Sequence, residues 1–250
     1  VYLEAYQITG NEFYADVARE TLNYVLREMH SPHGAFYSTQ DADSEGVEGK
    51  FFVWRPEEIR RHVDEDAATL FCQYYNVTDE GNFEHGTSAL HVTKSFEEVT
   101  QELGLDLEKA KSLLATTREK MFEIREGRVK PGLDDKILTS WNGLMISAMA
   151  KGAQVLEDPV YAEAAIRAAD FVTSDMCQDG LLLATHRQGR SRLNAYLDDY
   201  AFLVAGLTDL YEATFDTRWL VEAKRWTNSL IENFWDQEDG GFYFTGKNHE

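Results

Sequence analysis

Positive charge is scarce in this chain: 24 Lys and Arg stand against 44 Asp and Glu in 250 residues, a formal net charge of −20. A field of that sign repels polyanions, which excludes nucleic acid and anionic membrane surfaces as partners. Cysteine is nearly absent. Cys72 and Cys177 are the only two, lie far apart and show neither C-x-x-C nor paired spacing, so they read as packed thiols rather than as a metal or redox site. No apolar run approaches ~18 residues and no charged-then-apolar leader opens the chain, so the expectation is a soluble, cytoplasmic protein without a membrane span. The chain starts at Val1 already in helical rhythm, as a piece of something longer would. The fingerprints G-x-S-x-G, P-loop and G-x-G-x-x-G are missing, which removes the usual signals of serine hydrolases, NTPases and dinucleotide enzymes.

What the chain does have is repetition. "EAYQITGNEFYADVARE", "KGAQVLEDPVYAEAAIRA" and "DLYEATFDTRWLVEAKRW" each read as a helix end, a short polar turn and a new helix opening on large apolar residues. The gap between the first and second segments is more than twice that between the second and third, so a further repeat, enlarged by an insertion, is expected between them. Within each pair, "ILTSWNGLMISAMAKGAQVL" and "YAFLVAGLTDLYEATF" are apolar around most of their circumference, as inner helices are. "VYAEAAIRAADFVTSDM" and "RWLVEAKRWTNSLIENFW" carry one apolar stripe, as outer helices do. Glycines follow the outer helices, at Gly34, Gly180 and Gly240-Gly241, and short β-like runs come next. Stacked hairpins of this kind make an all-α toroid, a single domain over residues 1–250 with an inserted loop region at about 38–64. The long loops preceding the inner helices would then gather at one rim, where chemistry is expected.

Three acidic clusters fall in those loops: Asp41, Asp43 and Glu45 in "DADSEG", Asp134-Asp135 in "GLDDKILTSWNG", and Asp198-Asp199 in "YLDDYAF". Crowded carboxylates push one pKa up while another stays ionised, the split that general acid and base work needs. Capping of helix N–H groups alone also accounts for Asp134-Asp135 and Asp198-Asp199. The expected catalytic carboxylates are Asp43, Asp135 and Asp199. Asp41, Asp134, Asp198, Trp54, Trp141, Asn142, Tyr200 and His186 are expected to bind substrate, the rings suiting the apolar faces of sugars. "DADSEG" fits the first positions of an EF-hand, but its twelfth position is Phe52 and "KFFVW" is strand-like, so no metal site is expected there. None of the seven histidines forms an i, i+4 ligand pair, and only His186, in "THRQGR", is placed to face the opening.

"GAFYSTQDADSEGVEGKFFVW", "DDKILTSWNGLM" and "YLDDYAFLVAGLTDLYEATFD" resemble the spermatogenesis-associated protein 20 family, seen in bacteria as YyaL-like proteins, and the likeness covers essentially the whole chain. Ala35 stands where that family usually has a second glycine. The resemblance implies a thioredoxin-like domain at the front of the full-length protein, followed by an (α/α)6 toroid similar to six-hairpin glycosidases and to N-acylglucosamine 2-epimerase. This chain matches the toroid part, with about four hairpins, and lacks the family's redox cysteines. The implied function is sugar binding or glycoside processing by rim carboxylates, without a cofactor. Two alternatives stand beside it: an epimerase, for which His186 would be the base, and a non-catalytic ligand-binding or scaffold module serving the thioredoxin-like domain.

Overall fold

The computed structural model describes residues 1–249. Among the described residues the α-helices run in chain order: α1 (Tyr2–Thr9), α2 (Glu12–Tyr24), α3 (Pro56–Arg60), α4 (Glu65–Tyr74), α5 (Phe96–Leu103), α6 (Leu107–Glu126), α7 (Thr139–Leu156), α8 (Pro159–Asp175), α9 (Leu197–Thr214) and α10 (Thr217–Phe234). The strands are short: β1 (Thr39–Gln40), β2 (Asp43–Ser44), β3 (Val47–Glu48), β4 (Leu133–Asp134), β5 (Ile137–Leu138), β6 (Cys177–Gln178), β7 (Leu181–Arg187) and β8 (Arg190–Asn194). Among the described residues no helix is long and apolar enough to cross a membrane. The chain divides into two compact units, one made of residues 1–39 with 134 onward and one of Gln40–Leu133.

The first unit is an array of α/α hairpins of the toroid type: α1 with α2, α7 with α8, and α9 with α10. One turn design recurs in all three. The first helix of each hairpin ends on a residue in the left-handed region, Gly10 (φ 64°), Glu157 (φ 54°) or Phe215 (φ 55°). The next residue, Asn11, Asp158 or Asp216, caps the second helix by accepting the N–H two positions on, at 3.0–3.1 Å. Inner helices α7 and α9 pack directly on each other, with α8 and α10 outside them.

Glycine sets how closely the inner pair can approach. A Cβ on Gly143 would lie 2.5 Å from the Phe202 carbonyl carbon, and one on Gly206 would lie 2.4 Å from the Gly143 oxygen. Backbone meets backbone there. Ile146, Met149, Leu203, Leu207 and Leu210, all buried, close the rest of the interface. Small residues do the same on α8, where Ala164, Ala165, Ala168 and Ala169 are each fully buried.

Of the three expected β-runs after the outer helices, only "GLLLAT" becomes an extended strand. It forms β7, which pairs with β5 and β8 on opposite edges and with β6 at its start. "GAFYS" and "GGFYFT" reach only isolated bridges, His30–Phe36 and Trp235–Phe242. With one partner segment each, their backbone groups are not held over a full ladder.

The second unit has its own core of Trp54, Ile59, Leu70, Phe71, Val99, Leu114 and Met121. The acidic stretch forms a hairpin there. Asp43 pairs with Glu48 and Ser44 with Val47, and the two-residue turn between them, Glu45-Gly46, has φ of 54° and 73°. Two consecutive left-handed residues are what a type I′ turn demands. Asp41 accepts the Asp43 N–H at 3.2 Å, and Ser44 donates to the Val129 carbonyl at 2.5 Å.

Candidate functional site

The candidate site is built where α7 and α9 begin. Strand β5 runs straight into α7, with Ile137 opposite His186 and Leu138 opposite Thr185. The first turn of α7 is then fastened from three sides. Thr139 Oγ1 donates to the Leu183 carbonyl at 2.6 Å. The Ser140 N–H donates to Asp199 Oδ1 at 2.8 Å. Asn142 Nδ2 donates to the carbonyls of Leu138 (2.9 Å) and Phe36 (3.0 Å), while its Oδ1 accepts the Phe36 N–H at 2.8 Å.

Asp199 serves two helices at once. Its Oδ2 accepts the Tyr196 N–H at 2.9 Å, satisfying the start of α9, while Oδ1 satisfies an N–H of α7. Its neighbour Asp198 accepts the Asp199 N–H through Oδ1 at 3.1 Å. Asp199 is 4% exposed, and burial pushes its carboxyl above the usual range against the opposing pull of the Tyr196 and Ser140 hydrogen bonds.

The acidic pair Asp134-Asp135 is matched to cations. Asp134 pairs with Lys136 at 2.9 Å, which holds its carboxyl below the usual range, and Asp135 pairs with Arg187 at 2.5 Å. Deeper along the inner pair, Asp209 of α9 bonds Ser147 and pairs with Lys151 at 3.2 Å, both on α7.

The aromatic and imidazole candidates divide by exposure. Trp141, on the first turn of α7, is 51% exposed and leaves its indole open to solvent. Tyr200 is buried, and its Oη accepts the Leu182 N–H at 3.1 Å. His186 is buried edge-to-face on Phe171, 5.0 Å between centroids, with Nδ1 2.9 Å from Ser191 Oγ; burial lowers its pKa. In the second unit Trp54 lies in the core beneath Arg128, whose guanidinium stands 3.9 Å from its ring centroid and donates to the carbonyls of Phe51 and Val53. Neither Trp54 nor Tyr200 presents a face to a ligand.

The first unit therefore brings together Asp198, Asp199, Trp141, Asn142 and Tyr200 at the starts of α7 and α9, with Asp134 on β4, Asp135 between β4 and β5, and His186 on β7. Asp41 and Asp43 belong to the hairpin of the second unit. Among the described residues no group of three His, Cys, Asp or Glu is placed to hold a metal ion. Sequence reasoning passed over Arg187, the partner of Asp135, and over Gly143 and Gly206. The arginine was visible in "THRQGR", but its partner lies far off in the chain.

No family model matches the chain. Spermatogenesis-associated protein 20 of Homo sapiens is 34% identical over 97% of the chain, and the Mus musculus protein of the same name matches at 34% over 97%. The chain spans 35% of the length of each. Among solved structures, a D-mannose isomerase superposes with TM-score 0.44 at 13% identity, covering 98% of this chain and 59% of that one. A sugar epimerase from a ruminal bacterium superposes with TM-score 0.40 at 16% identity, covering 98% and 76%. Superpositions this loose transfer neither a residue role nor an activity.

Proposed function

We propose, for a chain that matches one segment of the spermatogenesis-associated protein 20 family along nearly its whole length, that the starts of α7 and α9 bind a sugar-like small molecule. The observation that carries this is Trp141: a half-exposed indole on the first turn of a helix whose other first-turn groups are fastened by Asp199, Leu183 and Phe36. A rigidly mounted aromatic face of that kind suits the apolar face of a pyranose, and carboxylates and backbone groups around it suit hydroxyls.

Binding without catalysis is the version favoured here. Asp199 spends both oxygens on helix N–H groups and Asp135 is claimed by a cation, so neither of the two expected catalytic carboxylates of the first unit stands uncommitted as an acid or base. His186, the base of the epimerase reading, is packed on Phe171 away from water. The glycosidase reading keeps Asp135 as its reacting group, which must first leave Arg187. In the longer full-length protein the module would present its ligand to the thioredoxin-like domain that the family resemblance implies, in the cytoplasm.

Titration calorimetry with a panel of mono- and disaccharides tests this. Trp141→Ala is expected to weaken binding about tenfold, ~1.4 kcal/mol, with the melting temperature unchanged. Equal affinity in the variant removes Trp141 from the site. Turnover of aryl glycosides that Asp135→Asn abolishes would instate catalysis instead.

A further inference from the structure

Beside Asp135 lies a face of unusual charge for this molecule. In the β7–β8 hairpin, Thr185 stands opposite Arg192 and Arg187 opposite Arg190. Residues directly opposite in an antiparallel pair share a face, and so do alternate residues of one strand, so Thr185, Arg187, Arg190 and Arg192 project to the same side. A tight turn holds them in place: Gln188 and Gly189 both have positive φ, 51° and 73°. The four residues and Gln188 line an open cavity of about 440 Å³.

Three arginines converging in a protein of net charge −20 repel one another at a cost, and like charges placed directly across a strand pair destabilise it. Asp135 offsets only Arg187. Among the described residues Arg190 and Arg192 make no side-chain hydrogen bond or ion pair, although 44 carboxylate residues are present in the chain. Two free guanidinium forks beside a hydroxyl form a recognition set for a planar carboxylate or a phosphate. The hairpin adjoins the strand that leads to the proposed ligand site: Thr185 pairs with Leu138, the residue that leads into α7 three positions before Trp141.

We infer that this hairpin face binds the anionic group of the ligand, so that the module recognises a sugar bearing a carboxylate or a phosphate. This rests on the sugar reading of the α7–α9 site, and the test separates the two. Calorimetric titrations of the protein at fixed ionic strength would compare glucuronate, glucose 6-phosphate, glucose and inorganic phosphate, for wild type and for Arg190→Gln/Arg192→Gln.

The expected result is that one anionic sugar binds at least about tenfold more tightly than glucose, and that the double variant loses that advantage while keeping its circular dichroism and its affinity for glucose. A second variant, Arg190→Lys/Arg192→Lys, should retain part of the affinity by keeping charge without the bidentate fork. Inorganic phosphate binding as tightly as either anionic sugar, and lost in the glutamine variant, would leave the anion site standing and overturn the sugar. Glucose binding as tightly as both anionic sugars, or anion affinity unchanged by the glutamine variant, would overturn the arginine site and leave the sugar reading in place. No binding of any anion would overturn it as well.

Discussion

At the scale of single residues, Asp199 shows how a carboxylate that reads as chemistry in the sequence can be a fastening in the fold. The pair Asp198-Asp199 before an apolar helix fits both a cap and a catalytic acid. Only the partner from α7, the Ser140 N–H at 2.8 Å, reveals that one side chain completes the hydrogen bonding of two helices. Asp199→Asn keeps the shape but turns one acceptor oxygen into an NH2 donor, so either the Ser140 or the Tyr196 N–H loses its partner. A buried unpaired donor costs about 1–3 kcal/mol, of which removing a buried charge offsets a part. The variant is therefore expected to unfold at lower urea than wild type, and an unchanged midpoint would show that removing the buried charge offsets the lost hydrogen bond in full.

At the scale of elements, the hairpin periodicity was legible because it rests on local chemistry. Gly10-Asn11, Glu157-Asp158 and Phe215-Asp216 each close a helix with a left-handed residue and open the next with an Asn or Asp cap, a signal contained within a few positions. The division into inner and outer helices was legible for the same reason, since polarity around each helix mirrors what surrounds it. The glycines at the crossing of α7 and α9 were not, because "WNGLM" and "VAGLT" do not say which backbone each will meet.

Gly206→Ala makes that crossing measurable. Alanine should gain about 0.5–1 kcal/mol of helix propensity over glycine, but its Cβ would lie 2.4 Å from the Gly143 oxygen, a backbone atom that moves only if a helix moves. Overpacking of this kind costs about 1–3 kcal/mol and wins. Thermal unfolding is expected to shift down; an upward shift would mean that the helices separate freely.

At the scale of the whole molecule, net charge governs the response to salt. Exposed ion pairs such as Lys94–Glu102 and Lys111–Glu108 contribute little each, whereas 20 uncompensated negative charges repel throughout the fold. Shortening the screening length from about 10 Å at 0.1 M salt to about 3 Å at 1 M weakens repulsion more than it weakens those pairs. The melting temperature should rise with sodium chloride; a gain of about 1 kcal/mol corresponds to about 2–4 °C for a chain of this size. A fall would place the ion pairs above the net charge in the balance.

The sequence by itself determined what depends on neighbours in the chain: the helices and their polarity, the capped turns, the sign of the field and the resemblance to a family. Tertiary structure alone decided which of the acidic and aromatic residues are free to meet a ligand. Trp54 and Tyr200 were withdrawn into cores while Trp141 was left open, and Asp135 was given to Arg187, 52 residues away. Burial and pairing are properties of what a side chain meets after the chain has closed on itself, and sequence spacing carries no record of those distant partners.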